Sequence, residues 1–236
     1  MCCLNRERKD DMLLKKHPQN IVDHDSWYNV CPPKKGEKQW ADGRSAKELA
    51  KYITKQLPFV PEEIENAVGS IVPGNAEFDW DAEYVTNLPG VGEGRNHDAI
   101  LFNKDIVITI EAKADETLGN LIAEEIKTAS VNKLHRISSM LEYMFKGGFK
   151  DYQNLRYQLL TASVGTILEA QNKKCKTAVL IVLVFKSNAK VTEEKVTANH
   201  KDVEAFLNAT KAYEEKGLYV IPNNTDIKLY FKEIVI

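Results

Sequence analysis

The stretch that decides the fold is residues 96–113, which read NHDAILFNKDIVITIEAK. Two apolar segments on either side of Lys104-Asp105 predict a β-hairpin with a two-residue turn. In that register Asp98 lies directly opposite Glu111, so we expect their Cβ atoms about 4.5–5.5 Å apart. Because side chains alternate along a strand, Lys113 lies on the same face as Glu111. The hairpin therefore predicts two carboxylates and one ammonium together at the end away from the turn.

This grouping suits a hard divalent cation. Two carboxylates a few Å apart can bind Mg²⁺, which keeps several water ligands and binds beside substrate phosphates. A neighbouring lysine can orient or deprotonate a metal-bound water. The opposite face of the second strand is apolar and predicts contact with a core: Ile106, Ile108, Ile110 and Ala112. We expect the charged residues to lie on a polar face at the strand end, where substitution usually has a mild effect on folding.

The rest of the chain predicts alternating helices and strands around this hairpin. Ser45-Ala46-Lys47-Glu48 has the pattern of a capping box, which predicts a helix to about Gln56. The periodicity predicts further helices at 61–69, 121–145, 152–171 and 202–215, and strands at 77–85, 97–103, 106–113, 177–185, 218–221 and 227–236. We therefore expect a mixed β-sheet flanked by helices, in the α/β class. We expect a polar N-terminal arm at 1–43 and a single domain at 44–236.

Asp98, an interval of twelve residues, and then Glu111-Ala112-Lys113 at the end of an apolar strand resemble the PD-(D/E)XK, or restriction-endonuclease-like, nuclease superfamily. The resemblance covers roughly residues 45–185 and departs from the pattern at His97, which stands where the motif has proline. It implies a restriction-endonuclease-like fold and Mg²⁺-dependent hydrolysis of DNA phosphodiester bonds, with Mn²⁺ as a substitute. It also implies that Asp98, Glu111 and the carbonyl of Ala112 bind the metal, and that Lys113 is the catalytic lysine.

The same resemblance implies accessory residues outside the hairpin. Some branches of the superfamily add a glutamate from the first helix, for which Glu48 and Glu65 are the candidates. Others add a glutamine or a basic residue from the helix after the motif, for which Arg156 and Gln158 are the candidates. Glu83, on the preceding strand, is a candidate outer ligand.

Other interpretations of these residues stay open. The hairpin charges could form a cross-strand salt bridge worth about 0.2–1 kcal/mol. Glu48 could serve as the capping partner of Ser45, and Arg156 and Gln158 could form the solvated edge of a helix. At the level of function, the alternatives are a non-catalytic nucleic-acid-binding or protein-binding member of the same fold, or another metal-dependent phosphoesterase.

Composition narrows the class of protein. The 236 residues carry 32 basic and 34 acidic side chains, a net charge of -2, which disfavours a protein that coats nucleic acid non-specifically. A nuclease with one local basic groove remains consistent with this balance. No apolar run reaches the roughly 18 residues of a membrane span. The four cysteines show no pairing or zinc-ligand spacing. We expect a cytoplasmic protein with DNA as its substrate and no membrane partner, and a homodimer is left open.

Two further features lie near the predicted site. Residues 87–96 are rich in glycine and predict a flexible loop at the mouth of the site. They do not form a phosphate-binding fingerprint, since they precede a strand and do not open a helix. A basic cluster could hold phosphates or could be a solvated face, and it consists of Lys133, His135, Arg136, Lys146 and Lys150.

Overall fold

The computed structural model describes residues 11–33, 36–145, 152–186 and 192–236. Its helices are α1 (His24–Val30), α2 (Ser45–Thr54), α3 (Glu62–Val68), α4 (Ile122–Lys127), α5 (Val131–Met144), α6 (Tyr157–Asn172) and α7 (Glu193–Ala209). Its strands are β1 (Leu13–Leu14), β2 (Glu77–Thr86), β3 (Arg95–Phe102), β4 (Ile106–Lys113), β5 (Thr177–Val184), β6 (Tyr213–Glu215), β7 (Leu218–Ile221) and β8 (Lys228–Val235).

These strands form one mixed sheet in the order β1-β2-β3-β4-β5-β8-β7-β6. The pairs β1–β2, β4–β5 and β5–β8 are parallel, and the other neighbours are antiparallel. The central strand β5 is buried along almost its whole length, as its unbroken apolar sequence predicts for a strand covered on both faces. The mixed α/β class and the sheet flanked by helices are confirmed.

Each face of the sheet carries its own apolar core. One core lies between the sheet and helices α4 to α7, and it includes Ile100, Leu180, Ile137, Leu160 and Phe206. The other lies between the sheet and helices α1 to α3, and it includes Ile108, Ile181, Trp27, Ile53 and Ile64. The sheet is therefore the middle of three layers, and neighbouring side chains of one strand enter different cores.

The stretch predicted as an N-terminal arm packs into the second of these cores where it is described. Strand β1 pairs in parallel with β2 at the edge of the sheet. Trp27 of α1 is buried against Trp80 of β2, with ring centroids 5.7 Å apart. The two indole rings join α1 to the sheet through apolar area that is removed from water.

One predicted helix cap and one predicted continuous helix are wrong. Helix α2 begins at Ser45 and its N-cap is Arg44, so the predicted capping box does not form. Residues 121–145 form two helices, α4 and α5, because Ser130 accepts a hydrogen bond from the N–H of Lys133 and starts a new helix. The predicted break at Gly147-Gly148 lies outside the described residues.

The last predicted helix is also misplaced. Helix α7 begins at Glu193 and ends at Ala209, and residues 213–215 form strand β6. Lys216 and Gly217 connect β6 to β7 with φ angles of 55° and 79°, the backbone of a two-residue hairpin turn with both central residues at positive φ. Apolar spacing over 202–215 therefore did not reveal where the helix gives way to a hairpin. No helix in the described ranges is long and apolar enough to cross a membrane.

Candidate functional site

The predicted register of the hairpin is confirmed. Strands β3 and β4 pair from Phe102–Val107 to Ala99–Ile110. Their pairing ends one position before Asp98 and Glu111 would face each other. There, the Asp98 carboxylate accepts a hydrogen bond of 2.7 Å from the main-chain N–H of Ala112. We call this place, with Asp98, Glu111 and Lys113, the fork.

On the other side of Asp98, strand β2 contains an unusual residue. Glu83 would face Asp98 in the β2–β3 ladder, but its φ is 51° and the pairs on either side of it are in register. Positive φ in a non-glycine residue inside a strand is strained and often marks a functional site. Before Glu83 the strand places Trp80 in the core under α1 to α3. After it, Tyr84 donates a hydrogen bond of 2.8 Å to Glu169 of α6, on the opposite face.

Strand β3 changes face at the same level. Ala99 lies in the core with α1 to α3, whereas His97 packs against Gly165 of α6, where an added methyl would lie 2.8 Å from the imidazole Nε2. Arg95, two residues earlier, follows His97 to the α6 side. From there its guanidinium reaches the carboxylate of Glu111. The alternation of side chains, applied to the whole strand, would have placed Arg95 on the other face.

The charged side chains at the fork form a buried ion cluster. The Glu111 carboxylate pairs with Lys113 at 2.8 Å through Oε1 and with Arg95 through Oε2. A second carboxylate, that of Glu116, lies 3.9 Å from Lys113. Only 3% of Glu111 and 4% of Lys113 is exposed, so the expectation that they lie on an open polar face is wrong. Strand β4, which carries both residues, lies inside the sheet between β3 and β5.

Burial and like charge shift the pKa values of this cluster. Burial, together with repulsion from Asp98, raises the pKa of Glu83 to about 7. Burial also raises the pKa of Asp98, although Lys113 and the N–H of Ala112 oppose this shift. Burial lowers the pKa of Lys113, because it penalises the charged ammonium. An added cation near Asp98 would relieve the repulsion among the carboxylates.

A cavity of about 560 Å³ opens onto the fork. Five of the residues predicted for the site line it: Glu83, Asp98, Glu111, Lys113 and Gln158. The Oε1 atom of Gln158 is buried and has no hydrogen-bond partner among the described residues. Its side chain is packed against Gly119, where φ is 75° and an added methyl would lie 2.9 Å from Cγ of the glutamine. The cavity thus holds an uncommitted acceptor beside the ion cluster.

Three predicted accessory residues make contacts elsewhere and do not line this cavity. Glu48 accepts a hydrogen bond of 2.8 Å from the N–H of Gly43. Glu65 accepts one of 3.0 Å from the N–H of Met12. Arg156 is the N-cap residue of α6 and donates to a carboxylate of α7 and to the main-chain oxygen of Gly119, so it supports the chain beside the cavity.

The cavity also includes charged and polar residues that the sequence did not predict for the site: Arg44, Ser45, Arg95 and Glu116. Ser45 donates a hydrogen bond to Glu116, which joins the start of α2 to the segment after β4. The position of Glu116 three residues after Lys113 is a local signal that could have been noticed. For Arg95 the sequence offers no such signal, because its position depends on the change of face in β3.

The donor set bears on whether a metal fits. The described part of the chain contains no group of three or more His, Cys, Asp or Glu side chains arranged to hold a metal ion. Mg²⁺ is commonly bound by only one or two carboxylates, with waters and substrate phosphates as its other ligands. Asp98 and Glu111 supply such a pair at the cavity, so the residues present fit Mg²⁺ shared with a phosphate better than a cation in a protein cage.

Together, the fold and the site define a three-layer α/β protein with a buried carboxylate–lysine cluster at the end of a central hairpin. A family model named DUF6946, described as a domain of unknown function, matches residues 20–235, and the chain belongs to that family. No curated protein and no solved structure matches the chain.

Proposed function

We propose that this protein is a Mg²⁺-dependent hydrolase of DNA phosphodiester bonds with a restriction-endonuclease-like fold. The observation that carries the proposal is that Asp98, Glu111 and Lys113 line one cavity at the fork. Their order along the chain is that of the nuclease motif. Their position at the end of a buried central hairpin, covered by helices on both faces, is consistent with the common core of that superfamily.

The residues that would hold the metal are Asp98 and Glu111. When bound, Mg²⁺ would offset charge at the scissile phosphate and lower the pKa of a coordinated water. Asp98 is fixed for this task by the N–H of Ala112, which occupies one carboxylate oxygen and leaves the other available. Glu111 is held between Lys113 and Arg95, so its orientation is set by two cations.

Lys113 would orient the attacking water and accept its proton. Burial lowers the pKa of this lysine, so it loses its proton more readily than an exposed lysine, as a group must before it can act as a general base. Gln158 offers a buried acceptor in the same cavity and would fix the water from a second direction. The Arg95 guanidinium, whose Nε has no hydrogen-bond partner among the described residues, would stabilise negative charge on the phosphate.

One observation favours a non-catalytic binding protein as the second candidate. Both oxygens of Glu111 already accept from cations, so the cluster is compensated without a metal.

A cytoplasmic location also remains a proposal, supported by the free thiols of Cys31 and Cys175. The choice of DNA over another phosphoester depends on the resemblance alone.

Cleavage of linear, supercoiled, single-stranded and branched DNA with Mg²⁺ or Mn²⁺ tests the proposal. Lys113→Ala should lower the rate by about 10²-fold or more, as for other general acid–base groups. Lys104→Ala is the matched control, since that lysine lies at the exposed turn of the same hairpin and should cleave like wild type. Asp98→Asn should abolish cleavage, and its amide oxygen can still accept from Ala112, so the fork keeps that hydrogen bond.

Folding of every variant is checked by circular dichroism before the assay. If folded wild type binds DNA and cleaves none of these substrates with either metal, the binding protein is the better interpretation. If it neither binds nor cleaves nucleic acid, the resemblance concerns the fold alone.

A further inference from the structure

A second cavity, of about 600 Å³, adjoins the first. The two cavities share Arg95 and Asn96 in their linings. One wall of the second cavity is the glycine-rich loop that ends at Gly94, and the other is formed by the beginnings of α5 and α6. We call it the α5 cavity, and it is lined on the helix side by Ser130, Asn132, Lys133, Arg136, Tyr157 and Thr161.

Arg136 is the unusual residue of the α5 cavity. It is only 8% exposed, so at this residue the basic cluster is not a solvated face. Its Nη1 donates to the main-chain oxygen of Glu93, while Nε and Nη2 have no hydrogen-bond partner among the described residues. A buried guanidinium with unused donors is costly unless an acceptor reaches it. In this cavity, an oxyanion would supply those acceptors.

The loop is shaped to lie directly on this guanidinium. Gly90 and Gly92 have φ angles of 82° and 136°, which side chains rarely allow. An added methyl at Gly92 would lie 2.9 Å from Nη2 of Arg136. The glycines predicted as a flexible mouth thus have a specific role, since they let the backbone approach the arginine.

The start of helix α5 adds a second attraction for an anion. This 14-residue helix has no acidic residue in its first turn, and its N-cap Ser130 satisfies only the N–H of Lys133. Free N–H groups and the helix dipole favour negative charge at such an end. The charged lining comprises Arg95, Lys133 and Arg136 with the carboxylate of Glu93; Arg95 is itself paired with Glu111, and Lys133 with Glu125.

We propose that the α5 cavity binds a second phosphate group of the substrate, beside the phosphodiester at the fork. This inference rests on the proposed function and names a part of the substrate. Arg95 and Asp98 are three residues apart on β3, which corresponds to about 10 Å. Because the two cavities adjoin, the second phosphate would belong to a nearby nucleotide of the same strand. It is either an internal phosphodiester or a terminal phosphate monoester.

The first test uses inorganic phosphate and no metal, with binding measured by calorimetry at constant ionic strength. Asn132→Asp places a negative charge in the first turn of α5, where the helix dipole favours it, so the variant should fold. It should bind phosphate about tenfold more weakly than wild type. Ser138→Asp adds the same charge on the exposed side of the same helix, outside the cavity lining, and should bind phosphate within about twofold of wild type. Arg136→Gln should lose at least tenfold in affinity.

Two outcomes of this titration would overturn the inference. One is that wild type shows no binding at about 10 mM phosphate, a concentration that would reveal a site with a millimolar dissociation constant. The other is that both aspartate variants weaken binding equally, which would indicate a general charge effect. If Arg136→Gln does not fold, the comparison between Asn132→Asp and Ser138→Asp still decides the question.

The second test identifies the source of the phosphate with DNA that carries a 5′-phosphate, DNA with a 5′-hydroxyl, and circular single strands. If the site takes a terminal phosphate, Asn132→Asp weakens binding of the phosphorylated linear DNA alone. If it takes an internal phosphate, all three weaken together. If Asn132→Asp binds all three DNAs with the affinity of wild type, the inference is overturned. If Asn132→Asp cleaves DNA like wild type, the phosphate subsite is refuted and the proposed hydrolase is kept. If the protein binds phosphate in the α5 cavity but cleaves no DNA, the subsite is kept and the proposed hydrolase is refuted.

Discussion

Glu111→Gln should strongly destabilise the metal-free protein. The carboxylate of Glu111 is the shared partner of Lys113 and Arg95, and all three side chains are largely removed from water. Glutamine keeps the size of the side chain and removes the negative charge. The substitution therefore leaves two buried cations without the carboxylate that they share.

The magnitude follows from this burial. Removing one partner of a buried ion pair costs about 3–5 kcal/mol. For a chain of this length, about 1 kcal/mol corresponds to 2–4 °C in Tm, so we expect Tm to fall by about 6–20 °C. Glu48→Gln is the matched control: the amide oxygen can still accept from the N–H of Gly43, so the change should stay within about 0.5 kcal/mol.

Urea unfolding followed by circular dichroism measures these free energies. Lys113→Met in the Glu111→Gln background should recover part of the lost free energy of unfolding, because it removes one of the two buried cations that Glu111 paired. A loss below about 1 kcal/mol for Glu111→Gln, similar to an exposed ion pair, would refute the argument and indicate that water reaches the cluster.

Three further predictions test other parts of the structure. Mg²⁺ should raise the Tm of wild type by mass action and leave Asp98→Asn nearly unchanged, and equal shifts in both proteins would place the metal elsewhere. Gly119→Ala should lower the free energy of unfolding by more than Gly217→Ala, since both glycines have positive φ but only the methyl at 119 meets a side chain. Urea unfolding of both variants checks this, and equal losses of free energy would contradict it. His200, 56% exposed, hydrogen-bonds Glu233 at 2.6 Å, and this bond raises its pKa. A raised folded-state pKa adds stability that is complete below the ordinary value of about 6.5 and is lost as pH rises through the folded-state value. His200→Gln should therefore lower Tm slightly at pH 5.5 and hardly at all at pH 8.5, and the same difference at both pH values would contradict this assignment.

The central hairpin could be predicted from the sequence because its determinants are local. The two-residue turn at Lys104-Asp105 fixes the register, and the apolar residues of β4 fix which face enters a core. The same register is sufficient to bring Asp98, Glu111 and Lys113 to one end of the hairpin. The unbroken apolar run of β5 likewise predicted a strand covered on both faces, since that pattern needs no knowledge of its neighbours.

Several helix and strand boundaries could not be predicted because periodicity does not specify where a segment ends. The apolar spacing over 202–215 continues through a helix end into β6, and only the pairing of β6 with β7 separates them. The order of strands is also beyond the local pattern: β8 lies next to β5, and residues 13–14 add an edge strand beside β2. Such contacts join residues that are far apart in the chain.

The remainder of the candidate site depends on tertiary structure for a specific physical reason. Alternation predicts which face a side chain takes only while the strand backbone stays regular, and the positive φ of Glu83 accompanies a change of face in β2 and β3. That change brings Arg95 to Glu111, although its place in the alternation predicts the opposite face. The burial of Arg136 likewise depends on a loop that passes over it, more than forty residues away in the chain. The sequence alone determined the pair of carboxylates and the lysine, and the tertiary structure determined which buried charges surround them.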